Sequence, residues 1–78
     1  MTEAFMNDLA GLSLSLEQGL GDFRRTAGLS QESVAEAMRR AGYTYFRQTT
    51  VSKIERGERR LLLSEACDLV RIVKEAKR

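Results

Sequence analysis

The chain has 78 residues, of which 42% are hydrophobic and 31% are charged, with a net charge of +2, one cysteine, no proline and no histidine. A chain of this size buries only about 60–65% of the surface that it exposes when unfolded, which is too little to build two cores. We therefore expect one domain over residues 1–78. The lack of histidine removes the commonest proton-transfer group of enzymes and, with a single cysteine, the usual zinc ligands. We therefore expect no enzymatic activity, no catalytic residues, no metal and no cofactor.

The apolar runs of the chain are short. The longest have three residues, as in Leu61–Leu63, whereas a membrane-spanning helix needs roughly 20. The N-terminus lacks the basic region and apolar core of a secretion signal. These features predict a cytoplasmic protein with no membrane partner. Without proline, which breaks helices, helix is the expected secondary structure.

Two helices are predicted before residue 28. The first covers residues 2–11, with Thr2 as its N-cap and with apolar residues at helical spacing, namely Phe5, Met6, Leu9 and Leu12. Its apolar face either completes the core or meets a partner subunit. The second covers residues 14–27, and the apolar stripe that predicts it consists of Leu12, just before the helix, and Leu16, Leu20, Phe23 and Ala27. Gly28 ends it, because glycine readily adopts the left-handed conformation that follows many helices.

The next helix begins after Ser30, whose hydroxyl can cap the first turn. Glu32 places negative charge near the positive end of the helix dipole, and Arg39 and Arg40 place positive charge near the other end. Gly42 ends the helix. Its inward residues are Val34, Ala35 and Met38.

A short helix is predicted over residues 47–55, although Thr49, Thr50 and Val51 form a β-branched run that favours a strand. The spacing of Val51 and Ile54 favours a helix with these two side chains inward. The outward residues all carry hydrogen-bonding groups: Gln48, Thr49, Ser52 and Lys53. Such a set suits the base edges in a major groove, but taken alone it is more typical of a helix face in contact with water.

The last helix is predicted over residues 64–76, with Ser64 as its N-cap. Its apolar stripe consists of Ala66, Leu69, Val70 and Val73. The three leucines before it are expected to pack back on the bundle. Cys67 and Ile72 lie outside the stripe, which places them at the periphery of the core.

Positive charge is concentrated in the middle of the chain. Residues 1–38 have a net charge of −4, residues 39–60 have +5 from seven basic and two acidic residues, and residues 61–78 have +1. A local excess of this kind suits a phosphate backbone, because neutralised phosphates release their counterions. A basic loop in contact with solvent gives the same pattern, so charge alone leaves both interpretations open.

Two motifs occur in a specific order. Residues 28–35 read Gly-Leu-Ser-Gln-Glu-Ser-Val-Ala, and residues 50–59 read Thr-Val-Ser-Lys-Ile-Glu-Arg-Gly-Glu-Arg. Together they resemble the helix-turn-helix of the Cro/phage-repressor type of DNA-binding protein, also called the XRE family, over about residues 20–73. The resemblance implies an all-α, lambda-repressor-like domain, a compact bundle of about five short helices. In this fold the second helix crosses the DNA backbone and the third enters the major groove.

The resemblance also implies roles for individual residues. Those that match base-contacting positions are Gln48, Thr49, Ser52 and Lys53. Those that match positions at the DNA backbone are Gln31, Arg56 and Arg59. Arg24 and Glu55 match a structural ion pair that ties the first helix to the end of the third. The last helix often makes a dimer contact in this family, which gives Cys67 and Ile72 an interface as an alternative location.

The turn between the second and third helices departs from the family pattern. It is longer than the tight glycine turn that is usual there, and residues 43–46 contain three aromatic side chains. We expect Phe46 and one tyrosine to pack in the core and the other tyrosine, preferably Tyr43, to face phosphates. The arginines around the turn are further candidates for phosphate contacts: Arg39, Arg40 and Arg47.

The sequence therefore predicts a transcriptional regulator, most simply a repressor, that binds a double-stranded DNA operator and is then held at the nucleoid. A homodimer would bind a pseudo-palindrome through the helix over residues 47–55, with half-sites about 34–36 Å apart. Phage regulators, restriction–modification controllers and antitoxins share this format. The alternative is a protein-interaction module of the same fold, antitoxin-like or anti-repressor-like, that acts through a regulatory protein partner.

Overall fold

The structure of the chain, a computed structural model, describes residues 16–76. Residues 16–26 are helical and form α1. Three helices follow, α2 (Gln31–Arg40), α3 (Gln48–Glu55) and α4 (Leu63–Ala76). The described range thus contains four helices and no strand, which confirms the predicted all-α class. The predicted count of about five helices included one over residues 2–11, which lies outside the described residues.

Gly28 and Ser30 define the junction between α1 and α2. Gly28 has a φ of 76°, a left-handed conformation that glycine adopts at little cost, and its N–H donates to the carbonyl of Arg25 at 3.0 Å. The hydroxyl oxygen of Ser30 accepts a hydrogen bond from the N–H of Ser33 at 3.0 Å. The predicted end of the helix over residues 14–27 and the predicted N-cap of the helix that follows are both confirmed.

The core is centred on α2, which packs against both α3 and α4. The predicted inward residues of α2 and α3 are fully buried: Val34, Ala35, Met38, Val51 and Ile54. The other helices add Leu16, Leu20, Ala66, Leu69 and Val73. Helices this short are marginal in water on their own, and burial of each large apolar side chain contributes about 1.5–3 kcal/mol. Packing therefore holds the helices in place more than local propensity does.

The start of α4 differs from the prediction in two respects. The helix begins at Leu63, so Ser64 lies inside its first turn and is not the N-cap. Glu65 satisfies the helix start instead, because its Oε1 accepts the N–H of Leu62 at 2.9 Å, as in a capping box. Of the three leucines only Leu61 is buried, whereas Leu62 is 59% exposed and Leu63 is 39% exposed. The rotation of α4 that buries its apolar stripe leaves Leu63 on the surface, and Leu62 lies just before the helix.

The two α4 residues outside the stripe differ in location. Ile72 is partly buried against the core, whereas Cys67 is an exposed free thiol. Among residues 16–76, no group of three or more cysteine, aspartate or glutamate side chains lies close enough together to hold a metal ion. No helix in the same range is long and apolar enough to cross a membrane.

Candidate nucleic-acid interface

The outward face of α3 carries the side chains that the sequence singled out. Burial of Val51 and Ile54 fixes the rotation of the helix. The residues predicted to contact bases are Gln48, Thr49 and Lys53, which are exposed, and Ser52, which is half-buried. Because positions four apart share a helix face, these four residues form one continuous polar surface.

The β-branched run becomes helical because contacts at its start and in the core outweigh its propensity for a strand. The Oγ1 of Thr50 accepts the N–H of Arg47 at 3.0 Å, which satisfies a backbone donor at the helix start. Arg47 itself is extended, with φ −131° and ψ 167°, so the helix begins at Gln48, one residue after the predicted start. Val51 then packs in the core.

A chain of hydrogen bonds links α3 to α2. The Nε2 of Gln31 donates to Oε1 of Glu55 at 3.0 Å, and Oε1 of Gln31 accepts from Nε2 of Gln48 at 2.6 Å. An ionised Glu55 can only accept, so it fixes the orientation of the Gln31 amide, and Gln31 in turn fixes that of Gln48. Gln48 is thus held in one orientation, with its Oε1 and one Nε2 hydrogen free of partners among residues 16–76.

The expected ion pair between Arg24 and Glu55 is present and largely buried. Arg24 donates from Nε to Oε2 of Glu55 at 2.6 Å and from Nη2 to Oε1 at 3.0 Å, a bidentate geometry. Burial alone would raise the pKa of Glu55, but the hydrogen bonds from Arg24 and Gln31 outweigh it and the pKa lies below its ordinary value. The pair ties the end of α3 to α1, and the carboxylate that orients Gln31 is therefore ionised at neutral pH.

Two predicted phosphate-contacting arginines flank the turn between α2 and α3. Arg39 donates to the carbonyl of Phe46 at 2.8 Å and to Glu32 at 2.9 Å, so it holds the turn and has an acidic partner. Arg47 donates only to backbone carbonyls, those of Thr44 and Phe46, each at 3.1 Å. Because it has no acidic partner among the described residues, Arg47 keeps an uncompensated positive charge at the start of α3.

Two other predicted phosphate contacts lie in exposed ion pairs. Arg40 pairs with Glu36 at 2.5 Å, and Arg56 pairs with Glu58 at 3.0 Å. Exposed pairs of this kind contribute about 0–1 kcal/mol, so a phosphate can replace either carboxylate at small cost.

Lys53 and Arg60 are the exposed cations near the C-terminal end of α3 whose side chains have no hydrogen-bond or ion-pair partner within residues 16–76. Lys53 was predicted as a base contact. Arg60 was not singled out, although it closes the basic segment of the sequence. Uncompensated positive charge from residues 39–60 therefore lies at the start of α3, on its polar face and shortly after its end.

Arg59, a further predicted phosphate contact, is paired with a carboxylate of α4. Its Nη1 and Nη2 donate to Oε1 and Oε2 of Glu65 at 3.1 and 3.0 Å. Its guanidinium carbon lies 5.9 Å from the ring centre of Tyr45 and 5.4 Å from that of Phe46. The phosphate contact of Arg59 stays a prediction, but its guanidinium is engaged by a buried carboxylate and lies close to two aromatic rings.

The two tyrosines of the turn also exchange the places expected for them. Tyr43 packs against the core and donates to Oδ2 of Asp68 at 2.6 Å, so it is the inward tyrosine. Tyr45 is 51% exposed and donates to Oε2 of Glu65 at 2.5 Å. Phe46 is fully buried, as predicted. Both hydroxyls bind carboxylates of α4, which the sequence around the turn gave no means of predicting.

Glu65 is the residue that sequence reasoning missed most completely. It is fully buried and accepts four hydrogen bonds, two from Arg59 and one each from Tyr45 and the N–H of Leu62. Burial alone would raise its pKa, but these donors outweigh burial and lower the pKa below its ordinary value. Its position as the third residue of α4 was the one sequence signal for a role at a helix start.

Comparison with known proteins adds no assignment, since no family model, no curated protein and no solved structure matches the chain.

Proposed function

We propose that the chain is a sequence-specific double-stranded DNA-binding regulator of transcription, a repressor of the Cro/phage-repressor helix-turn-helix type that contains a lengthened turn. The observation that carries the proposal is the outward face of α3. It combines hydrogen-bonding side chains, one of them held by Gln31, with uncompensated cations at both ends of the helix. The role of α3 is to lie in the major groove, which is about 12 Å wide and admits a helix.

Gln48 is the residue best prepared to read a base. Adenine offers the N7 acceptor and the N6 donor in the major groove, and a glutamine amide matches both. The Oε1 and the second Nε2 hydrogen of Gln48 form such a pair, because its other Nε2 hydrogen is engaged with Gln31. Thr49 offers a methyl group to thymine, and Lys53 suits the O6 and N7 acceptors of guanine.

Phosphate contacts position α3 in this proposal. Arg47 lies at its start and Arg60 follows its end, both exposed and without acidic partners in the described range. The N-terminus of α2 adds backbone N–H groups beside Gln31, and such groups favour anions. Arg40 and Arg56 also contact phosphates in this proposal, and a phosphate then replaces the carboxylate with which each is paired in the free chain.

Recognition of DNA in this format requires two copies of the chain. One short helix covers too few base pairs to be selective, so two copies would bind half-sites about one helical turn apart. Leu63 and Cys67 are exposed on one side of α4, since they are one helical turn apart, and they supply a surface for the contact between copies.

The experiment that tests the proposal is selection of binding sites from random duplexes, with the molar mass of the complex measured in solution. We expect enrichment of a pseudo-palindrome bound by two chains. Affinity for it should fall by powers of ten between about 50 and 200 mM salt, because several phosphates are neutralised. Failure to enrich any sequence would contradict the proposal.

A protein-interaction module of the same fold is the second candidate. The exposed apolar side chains of Tyr45, Leu62 and Leu63 favour it, since such groups suit contacts between proteins. In that case no duplex would be selected, and binding to the partner protein would depend only weakly on salt.

A further inference from the structure

The turn between α2 and α3, residues 41–47, is held by tertiary contacts as well as by its own backbone hydrogen bonds. Arg39 donates to the carbonyl of Phe46, and the two tyrosines of the turn anchor it to α4, Tyr43 through Asp68 and Tyr45 through Glu65. Tyr45 binds Glu65, and the Tyr45 ring packs on the buried Phe46 with 5.6 Å between ring centres. The segment that leads into α3 is therefore fastened to the first turn of α4.

The segment that leaves α3 is fastened to the same carboxylate. Arg59 lies four residues after the end of α3 and forms two hydrogen bonds to Glu65. Its guanidinium also lies over the rings of Tyr45 and Phe46, so the segments before and after α3 contact each other as well.

The acceptor capacity of Glu65 is filled. A carboxylate offers about four acceptor sites, two on each oxygen. Oε1 accepts from Arg59 and from the N–H of Leu62, and Oε2 accepts from Arg59 and Tyr45. Because the group is fully buried, loss of any one donor is not made good by water. The arrangement accordingly has one favourable geometry.

We propose that Glu65 is a positioning residue for α3, a single buried carboxylate that fixes the start of the helix through Tyr45 and its exit through Arg59. The inference rests on the proposed function, in which α3 contacts DNA. Glu65 itself is fully buried and contacts neither a base nor a phosphate. Its role is to set the orientation in which the polar face of α3 meets the groove.

Glu65, Tyr45 and Arg59 form the Glu65 cluster. Two mild variants test its contact before α3 and its contact after α3 separately. Tyr45→Phe removes one hydrogen bond at the start of α3 and keeps the ring. Arg59→Lys keeps the charge but cannot form the bidentate pair, so it loosens the exit. Val73→Ala is the control, because it destabilises the core through α4 without touching the cluster.

The first measurement uses the free full-length chain. Backbone NMR shifts and residual dipolar couplings report the orientation of α3 relative to α2. We expect Tyr45→Phe to change them most near Gln48, Arg59→Lys to change them most near Glu55, and Val73→Ala to leave α3 unchanged. Equal effects of all three variants on α3 would overturn the proposal.

The second measurement is affinity for a duplex selected by the wild-type chain. Both cluster variants should bind it about tenfold more weakly, because a cost of about 1.4 kcal/mol for restoring the orientation of α3 on binding corresponds to that factor. The slope of affinity against salt should not change, since no charge is removed. Unchanged affinity in both cluster variants would also overturn the proposal. If the wild-type chain selects no duplex, the proposed function fails, and the NMR measurement still decides whether Glu65 positions α3.

Discussion

Gln48 at the start of α3 donates a hydrogen bond of 2.6 Å to Gln31 at the start of α2, although the two residues are 17 positions apart in the sequence. Gln31 is held in turn by Glu55, and Glu55 by Arg24. The first residue of α3 is therefore oriented by a series of contacts that ends in a largely buried ion pair. In the proposed function this series prepares the Gln48 amide for one base.

Gln31→Ala tests whether this support matters for recognition. Gln48 would lose the partner that fixes its amide, so we expect affinity for the selected duplex to fall by about 1 kcal/mol, the usual contribution of one hydrogen bond. The preference for adenine at one position should relax at the same time. Fluorescence anisotropy on duplexes that carry each of the four bases at that position measures both effects. An unaltered base preference would show that Gln31 does not orient Gln48 for recognition.

Arg47→Ala tests the phosphate contacts. Arg47 has no acidic partner within the described residues, so its removal should weaken binding to selected and scrambled duplexes alike. The slope of log affinity against log salt should become shallower by about one, as for one lost phosphate contact. Lys74→Ala removes one exposed positive charge from α4 and serves as the control, with no change in slope expected. Equal slopes for the two variants would count against Arg47 as a phosphate contact.

Arg59→Ala should act on stability, in contrast to the phosphate role first predicted for this residue. It leaves the buried carboxylate of Glu65 without its cation, and breaking a buried pair in this way costs about 3 kcal/mol. Urea unfolding followed by circular dichroism measures the loss. Arg56→Ala removes an arginine from an exposed pair and should stay within about 0.5 kcal/mol of the wild type. A loss no larger in Arg59→Ala than in Arg56→Ala would refute the buried-pair interpretation.

The stability of the fold should fall in acid. The pKa values of Glu55, Glu65 and Asp68 are lowered in the folded chain, for the first two because hydrogen bonds outweigh burial and for Asp68 mainly because Tyr43 donates to it. The unfolded chain therefore binds more protons than the folded chain near and below the ordinary values of about 4–4.5, so stability rises with pH there. We expect it to be complete above about pH 5 and to be lost as the pH falls through the lowered values. Urea unfolding at a series of pH values from 7 to 2 measures this, and a flat profile below pH 5 would contradict it.

At alkaline pH the sign is reversed. Hydrogen bonds to Asp68 and Glu65 raise the pKa values of Tyr43 and Tyr45. Their contribution is therefore present below the ordinary value of about 10 and is lost as the pH rises through the raised values. Tyrosinate absorbance followed against pH should show these two hydroxyls titrating later than free tyrosine, and Tyr45→Phe should remove one of the late steps. Ordinary titration of both would show that the hydroxyl contacts do not hold in solution.

Local signals in the sequence predicted most of the fold. Gly28 and Ser30 predicted the junction of two helices correctly, because a left-handed glycine and an N-cap serine act on backbone within one helical turn. The burial of Val51 and Ile54 followed from their spacing, which outweighed the β-branched run around them. The ion pair of Arg24 with Glu55 followed from the family resemblance and not from any local pattern.

Contacts between distant parts of the chain account for what the sequence did not predict. The hydroxyls of Tyr43 and Tyr45 bind carboxylates 25 and 20 residues away, and no periodicity links such positions. The Arg59 side chain is held by hydrogen bonds to the same carboxylate, that of Glu65. The charge of Arg59 just after α3 suits a phosphate role, and charge alone gave no indication of its pairing with Glu65.

Base recognition by the outward face of α3 is tested most directly by the ratio of affinities for the selected and a scrambled duplex. At fixed salt, Gln48→Ala and Lys53→Ala should each lose about 1–3 kcal/mol on the selected duplex and little on the scrambled one, so that the ratio falls. Lys74→Ala should keep the wild-type ratio. If Gln48→Ala and Lys53→Ala weaken both duplexes to the same extent, or neither, α3 does not read the DNA sequence.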